Sequence, residues 1–439
     1  MRKKLYPVLI LLMALLLSAC GMRTVDQLYA VPKRSPEYRD LQKAIDEVMP
    51  DLVYSAPLTG ENRQTVQMAD LNGDGIQEYL LFARGTTDDP LKIFIFEKMG
   101  DSYQLLDTIT GQGSAFDFVE YAQVDGGSSK ELIVGVRVSE QVLRYLSVYA
   151  FDADGSRQLM AVNYSKFIPA DLDQDGLSDL LIISPGEEKE DHGVAALYRF
   201  EEDTMVRSLE ARLSAHPDQI KRIMVSTVHG GIPAVYVASS VAESAIITDV
   251  FMLREGKFVN VPLSAESGTS VETLRNYYIY ADDVDSDGTL ELPRLIDMHP
   301  VHGNTQTATQ HLIRWYALTK DGDAVDKLHT FHNFDGGWYL TLTGDWASRV
   351  SVAQSAGICT FYIWDEMLEK AEKIMTVYAL TGMDRDMLAE SEERFVLYKS
   401  EGITYAAKLE VGALSYGLTV DNLSGCFHMI HMDWKSGET

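Results

Sequence analysis

The sequence predicts a mainly β protein: a propeller-like array of four-stranded blades with a small C-terminal α+β domain. Three observations lead there. An acidic loop recurs three times without gaps. The intervals between copies are each about twice a 50-residue unit. Each interval holds several short apolar runs of strand length, bounded by turn residues.

The first loop runs from Asp70 to Glu78, the second from Asp171 to Asp179 and the third from Asp283 to Glu291. Their first aspartates lie 101 and 112 residues apart. Worn copies sit near the middle of both intervals, as Gln123-Val124-Asp125-Gly126-Gly127 leading to Glu131, and as Val228-His229-Gly230-Gly231. Phe334–Leu340 reads as a sixth copy. Between the first loop and the first worn copy, strands are expected at Ile76–Ala83, Leu91–Glu97, Tyr103–Ile109 and Phe116–Ala122. Four strands per unit is the blade count of a propeller.

Ahead of the repeats, Tyr38, Leu41, Ile45 and Val48 recur at helical spacing, and Met49-Pro50 ends the helix. Beyond about Trp346 the texture changes. Strands are expected at Val350–Ala353, Thr360–Ile363 and Ile374–Ala379. Helices are expected at Asp365–Lys373, Asp384–Ser391 and Val420–Met432. Phe395–Tyr398 and Thr404–Leu409 read as a hairpin.

The extreme N-terminus reads as an export signal. Arg2, Lys3 and Lys4 precede a largely apolar run to Leu17, too short for a comfortable membrane span. Leu17-Ser18-Ala19-Cys20-Gly21 resembles a bacterial lipobox, which implies cleavage before Cys20 and a diacylglycerol on its sulfur. The organisation expected is therefore a signal peptide over 1–19 and a lipid-anchored tether over 20–35. A helix and repeat domain follows over 36–345, and the α+β domain over 346–439. The tether can reach about 50 Å when extended. The protein would sit on the extracellular face of the cell membrane.

The net charge is −27 over 439 residues, and loss of the three basic groups in 1–19 makes it more acidic still. Such a chain repels phosphate backbones, so no nucleic-acid partner is expected. Beyond Cys20 only Cys359 and Cys426 remain, either as one disulfide or as two buried thiols.

The repeated loop is D-x-[DN]-x-D-G-x-x-[DE]. Calcium takes oxygen ligands, and alternate positions of a tight loop can turn their side chains inward together. The ligands expected are Asp70, Asn72, Asp74, the Ile76 carbonyl and Glu78 in the first loop. In the second they are Asp171, Asp173, Asp175, the Leu177 carbonyl and Asp179. In the third they are Asp283, Asp285, Asp287, the Thr289 carbonyl and Glu291. An EF-hand would place a glutamate at position 12, where this chain has Leu81, Ile182 and Arg294. The strand-like flanks also exclude helix–loop–helix. These loops resemble the FG-GAP or VCBS-type repeats of extracellular β-propellers, including the integrin-type head. The resemblance covers roughly residues 60–340 and implies up to three structural calcium ions. The whole chain is similar to uncharacterised lipoproteins of anaerobic Gram-positive bacteria.

No nucleophile elbow, phosphate-cradling glycine loop or CxxC motif is present. His299, His302 and His311, and likewise His428 and His431 with Asp433, match no metalloenzyme spacing and read as ordinary loop and strand residues. Trp315, Tyr316, Trp338, Tyr339, Trp346 and Trp364 read as core, with a sugar platform as the alternative. The expected function is a calcium-stabilised binding or scaffold module for a surface protein or glycan. The alternative is a glycan-active propeller enzyme, a glycosidase or lyase.

Overall fold

A computed structural model describes residues 36–430, apart from 86–90, 101, 139–143, 153–154, 187–191, 243–244, 299–310, 345, 366 and 368–369. The expectations for Cys20, the signal peptide and the tether lie outside these residues, as do those for His299, His302, His431 and Asp433.

Six antiparallel sheets follow one another along the chain. The first holds β1 (Leu52–Tyr54), β2 (Val66–Ala69), β3 (Glu78–Gly85), β4 (Leu91–Met99) and β5 (Ser102–Gly111). The second holds β6 (Ala115–Ala122), β7 (Glu131–Arg137), β8 (Arg144–Asp152) and β9 (Gly155–Tyr164). The third holds β10 (Lys166–Ala170), β11 (Asp179–Pro185), β12 (Gly193–Glu201) and β13 (Thr204–Arg212). The fourth holds β14 (Ile220–Val228), β15 (Ile232–Ala242), β16 (Ala245–Arg254) and β17 (Lys257–Asn260). Apart from β1, which pairs with β3, these are meanders, each strand pairing with the next, as propeller blades do. The fifth holds β18 (Leu292–Asp297), β19 (His311–Leu318), β20 (Ala324–Asn333) and β21 (Trp338–Leu342). The sixth holds β22 (Val350–Ser355), β23 (Ile358–Asp365), β24 (Lys370–Thr381), β25 (Phe395–Ser400) and β26 (Ile403–Leu409). A last strand, β27 (Phe427–Met429), returns to pair with β21.

Alternation along the strands explains the stacking. In β3, Leu80 and Phe82 face the second sheet and join Phe116, Val119, Leu132 and Val134 in one buried cluster. Leu81 and Ala83 point the other way, onto the helix α1 (Pro36–Val48), where they meet Leu41 and Ile45. Side chains two apart share a face and neighbours oppose, so a continuous apolar run makes a sheet that needs cover on both sides. The same logic joins the second sheet to the third through Ile133, Leu146, Leu180 and Ile182. The third meets the fourth through Leu181, Leu197, Val235 and Phe251. The fifth and sixth share a core of Phe331, Trp338, Phe361 and Met375, completed by Leu423 of helix α3 (Val420–Cys426). Residues after 346 thus combine a sheet with short helices and share their core with the sheet before them. The other short helix is Arg385–Ala389, α2.

Three sequence expectations are corrected. Asp365–Lys373 is not a helix: Asp365 ends β23 and Lys370 begins β24, joined cross-strand as an Asp365–Lys370 pair. The last helix stops at Cys426, where Phe427 turns its ring onto Trp338 and the chain becomes a strand. Phe334–Leu340 is not a sixth copy of the loop. It joins β20 to β21 late in the fifth sheet, whereas the other loops come early in their sheets, joining β2 to β3, β6 to β7, β10 to β11 and β14 to β15 or leading into β18. Cys359 and Cys426 are free thiols. Burial pushes the Cys359 thiol up to about 12.

Helix α1 covers the outer face of the first sheet, as a terminal cap does in a repeat array. Replacing Ile45, buried at 5% exposure, by alanine is expected to cost about 2–4 kcal/mol. The control Lys43→Ala, at an exposed position of the same helix, should stay within about 0.5 kcal/mol. Urea unfolding followed by circular dichroism checks both.

Candidate metal centres

The five loops occupy one structural place. Each follows the strand that comes first in its meander, β2, β6, β10 or β14, and leads into the next. In the fifth sheet that first strand is reduced to the buried stub Ile279–Ala281, held to the sheet by the Asp282–Glu291 bridge. The loops also touch one another. Gly73 of the first lies so close to Ser128 of the next that a β-carbon would overlap its hydroxyl. Ser178 donates its N–H to the Gln123 carbonyl at 2.6 Å, and Leu290 donates to Thr227 at 3.3 Å. Three of the four junctions between consecutive loops are therefore stitched by direct contact.

Within each loop the acids first satisfy the backbone. Asp70 accepts N–H bonds from Gly73 and Gly75, at 2.7 and 2.9 Å. Asp171 accepts from Gly176 at 3.0 Å, and Asp283 from Gly288 at 2.9 Å. Asp74, Asp175 and Asp287 each accept from the residue two along, at 2.7–2.8 Å. These are Asx-type turns, which fold the loop inward. Position 6 must then take a left-handed backbone. Gly75, Gly176 and Gly288 sit at φ +85°, +88° and +85°, where a β-carbon would be strained.

The closing acid is the most buried part. Glu78, Glu131, Asp179 and Glu291 are 2%, 1%, 7% and 0% exposed. Three of them accept the N–H of the residue after the loop's first acid or its equivalent: Leu71 to Glu78 at 2.8 Å, Val124 to Glu131 at 2.7 Å and Val284 to Glu291 at 3.1 Å. Burial raises all four from the usual carboxylate range, Glu131 and Glu291 to about 7 and Asp179 to about 6.

Two of the loops gather the oxygens a hard cation needs. Carboxylate oxygens of Asp171, Asp173 and Asp175 lie within 4.8 Å of one another, as do those of Asp283, Asp285 and Asp287. Ligands bonded at about 2.4 Å to one calcium ion lie no more than about 4.8 Å apart, so both triads fit such an ion. Asp171 Oδ1 and Glu291 Oε1 are moreover buried without a hydrogen-bond partner. The first loop is not among these triads. Its position 3 is Asn72, whose amide reaches toward Glu78 at 3.4 Å.

Two cations absent from the sequence reading also enter these loops. Arg199 meets Asp173 at 3.0 Å and Asp179 at 3.1 Å. Lys327 meets Asp285 at 3.0 Å, Glu291 at 3.6 Å and Asp287 more closely. The Lys327 hydrogen bond holds Asp287 down at about 2. Arg199 stands next to Tyr198, which pairs with Leu180, so it faces Asp179 across the ladder. Lys327 is the extra residue of a bulge, since Trp315 pairs with Leu328 and Tyr316 with Asp326. Bulges re-aim side chains, and this one sends Lys327 into the third loop. Bulges at the corresponding strand pair of the first three sheets carry Leu106, Leu159 and Ser208 instead. Register, not composition, would have found both cations.

The other candidates resolve simply. His311 lies 2.9 Å from Asp297, and His428 stacks on Tyr339. Trp315, Tyr316, Trp338 and Trp346 are buried in the core, so they form no sugar platform.

No protein-family model matches this chain, and no curated protein matches it. Among solved structures it is similar to an exo-type rhamnogalacturonan lyase, with TM-score 0.30 and 13% identity over 76% of this chain and 68% of that one. A rhamnogalacturonan lyase from Bacillus licheniformis gives 0.30 and 14% over 82% and 73%. A protein from Lactobacillus plantarum gives 0.25 and 12% over 73% and 86%. Overlaps this loose carry no argument about activity.

Glu131 closes a loop that has lost its aspartate triad, and Asp125 is the acid that still acts on it. Its folded value, about 7, stands above the ordinary 4.5. The folded chain thus holds this proton more tightly than the unfolded chain. The group's contribution to stability is complete below about pH 4.5 and is lost as pH rises through 7. Glu131→Gln keeps an acceptor for Val124 and removes the charge. Its unfolding free energy is expected to fall less than the parent's between pH 5 and 8, by on the order of 2 kcal/mol. Parallel pH profiles would contradict this assignment.

Proposed function

We propose that this chain is a cell-surface lipoprotein, anchored through Cys20, whose propeller-like array is a calcium-stabilised binding or scaffold module for a surface protein or glycan. The observation that carries the calcium reading is the convergence of two aspartate triads onto cation-sized spaces, each with a buried carboxylate oxygen left without a hydrogen bond. Asp171, Asp173 and Asp175 would hold one ion, with the Leu177 carbonyl and Asp179 completing it. Asp283, Asp285 and Asp287 would hold the other, with the Thr289 carbonyl and Glu291. The first loop, with Asp70, Asn72, Asp74, the Ile76 carbonyl and Glu78, would make a third and weaker site, since an amide replaces one carboxylate.

The role proposed for the ions is structural. They would sit on a rim where consecutive loops touch, and each would offset several carboxylates that otherwise repel. Arg199 and Lys327 do part of that work already, so an ion entering either loop must displace or share with a protein cation. That favours calcium as a reinforcement in a medium rich in it, bound weakly and reversibly. Lipid on Cys20 would supply that medium by placing the array outside the cell. The two acyl chains of a diacylglycerol suffice for stable anchoring.

Calcium at about 100 times its dissociation constant should add about 2.7 kcal/mol per site. The melting temperature is therefore expected to rise by several degrees between excess chelator and millimolar calcium. Asp173→Asn combined with Asp285→Asn should remove most of that rise. Equal melting temperatures in calcium and chelator would sink the reading, and calorimetry measures both.

A further inference from the structure

At the opposite end of the first strands from the acidic loops, the chain reverses its charge. A cleft of about 430 Å³ opens between the second and third sheets, and its walls include Arg137, Arg144 and Lys166. Three cations converging in a chain of net charge −27 run against its composition. Their arrangement is built rather than scattered. Asp117 is only 3% exposed and lies at the cleft floor. It accepts from Arg137 Nε at 2.7 Å and from the Tyr164 hydroxyl at 2.9 Å, and lies 3.6 Å from Arg144 Nε. One buried carboxylate thereby orients two guanidiniums, each of which still keeps over a third of its side chain open to solvent.

Lys166 is different. Its ammonium makes no hydrogen bond or ion pair among the described residues, and Asp117 and Asp218 act on it only at longer range. Burial and the adjacent Arg144 lower it from its ordinary value, as expected where positive charge exceeds its counter-charge. Among the described residues the other acid lining the cleft is Glu120, which burial and Glu61 raise toward its neutral form. Phe118 and Phe167, stacked at 5.0 Å, supply an apolar wall.

We propose that this cleft binds a small carboxylate-bearing ligand of sugar-acid size, held by Arg137, Arg144 and Lys166. Guanidinium groups present paired donors that match a carboxylate. A volume of this size lies within the range of small-molecule sites. The Phe118–Phe167 wall suits the carbon skeleton that carries the charge. This inference stands apart from the calcium loops, because no residue of the cleft belongs to them.

The test is titration calorimetry on the full chain at constant calcium, with glucuronate against glucose. Glucuronate is expected to bind at least about tenfold more tightly, a difference of about 1.4 kcal/mol. Acetate, which carries the charge without the body, should compete at higher concentration. Lys166→Gln should weaken glucuronate about tenfold or more with the melting temperature unchanged, because Lys166 makes no hydrogen bond or ion pair among the described residues. Arg144→Gln serves as a second variant with the same expectation for binding. Glucuronate binding no tighter than glucose, acetate failing to compete, or both variants binding like the parent would each overturn the proposal. None of these outcomes depends on whether calcium binds.

Discussion

The early sheets of this protein are apolar on both faces, and that constraint organises the rest. Strands such as β3, β7 and β11 are buried along most of their length, so their odd and even side chains both need a neighbour. A single such sheet cannot be stable alone. Stacking solves the problem for interior sheets, each of which covers the next. It leaves the first sheet with an open face, and α1 fills it with Leu41 and Ile45. The helix is thus not an appendage to the repeats but the element that ends them. At the other end, β27 returns to the fifth sheet and ties the last helix into the core of the sixth.

Stacking fixes the sheets but leaves the connections into β3, β7, β11, β15 and β18 to be folded locally. There the chain spends its acids. A closing carboxylate is buried to accept a backbone N–H, and glycine at position 6 permits the sharp turn. Burial of that carboxylate is costly in its charged form, and the neighbouring aspartates add to the cost. The chain answers in two ways at once. It brings in protein cations, Arg199 and Lys327, and it gathers aspartate oxygens at cation spacing. In the first worn copy, Glu131 keeps the N–H bonds from Val124 and Asp125, but the triad is gone. Its survival there shows that the closing acid serves the turn itself, with or without metal.

The sequence made the loops, the strands β3 to β6 and α1 legible, because all three rest on local periodicity. Alternation, helical spacing and a glycine at a fixed position are properties of a few consecutive residues. What it hid depended on partners far along the chain. Asp365–Lys373 has helix-forming composition but carries the ends of two strands whose pairing is decided by Phe361 and Met375 in the core. Phe334–Leu340 has the glycines and aspartate of a loop copy, yet its place in the sheet differs. Lys327 lies 36 residues beyond Glu291 in sequence and reaches it only because a bulge shifts the ladder by one.

The two ends of the first strands therefore carry opposite chemistry. Lys166 opens β10 and Asp171 directly follows its last residue, so about 17 Å of strand separates a cationic cleft from an acidic loop. In the second sheet, β6 carries Asp117 near its start and leads to Asp125 and Glu131 beyond its end. The separation keeps each set from neutralising the other. Within the cleft, Asp117 meets only part of the charge of two arginines, while the loops at the far rim hold more acid than Arg199 and Lys327 can balance. Each end is left incompletely matched by protein groups alone, with positive charge in excess at one and negative at the other. An array whose interior is almost wholly apolar can tolerate that imbalance because it lies at the sheet ends, where water and ions have access.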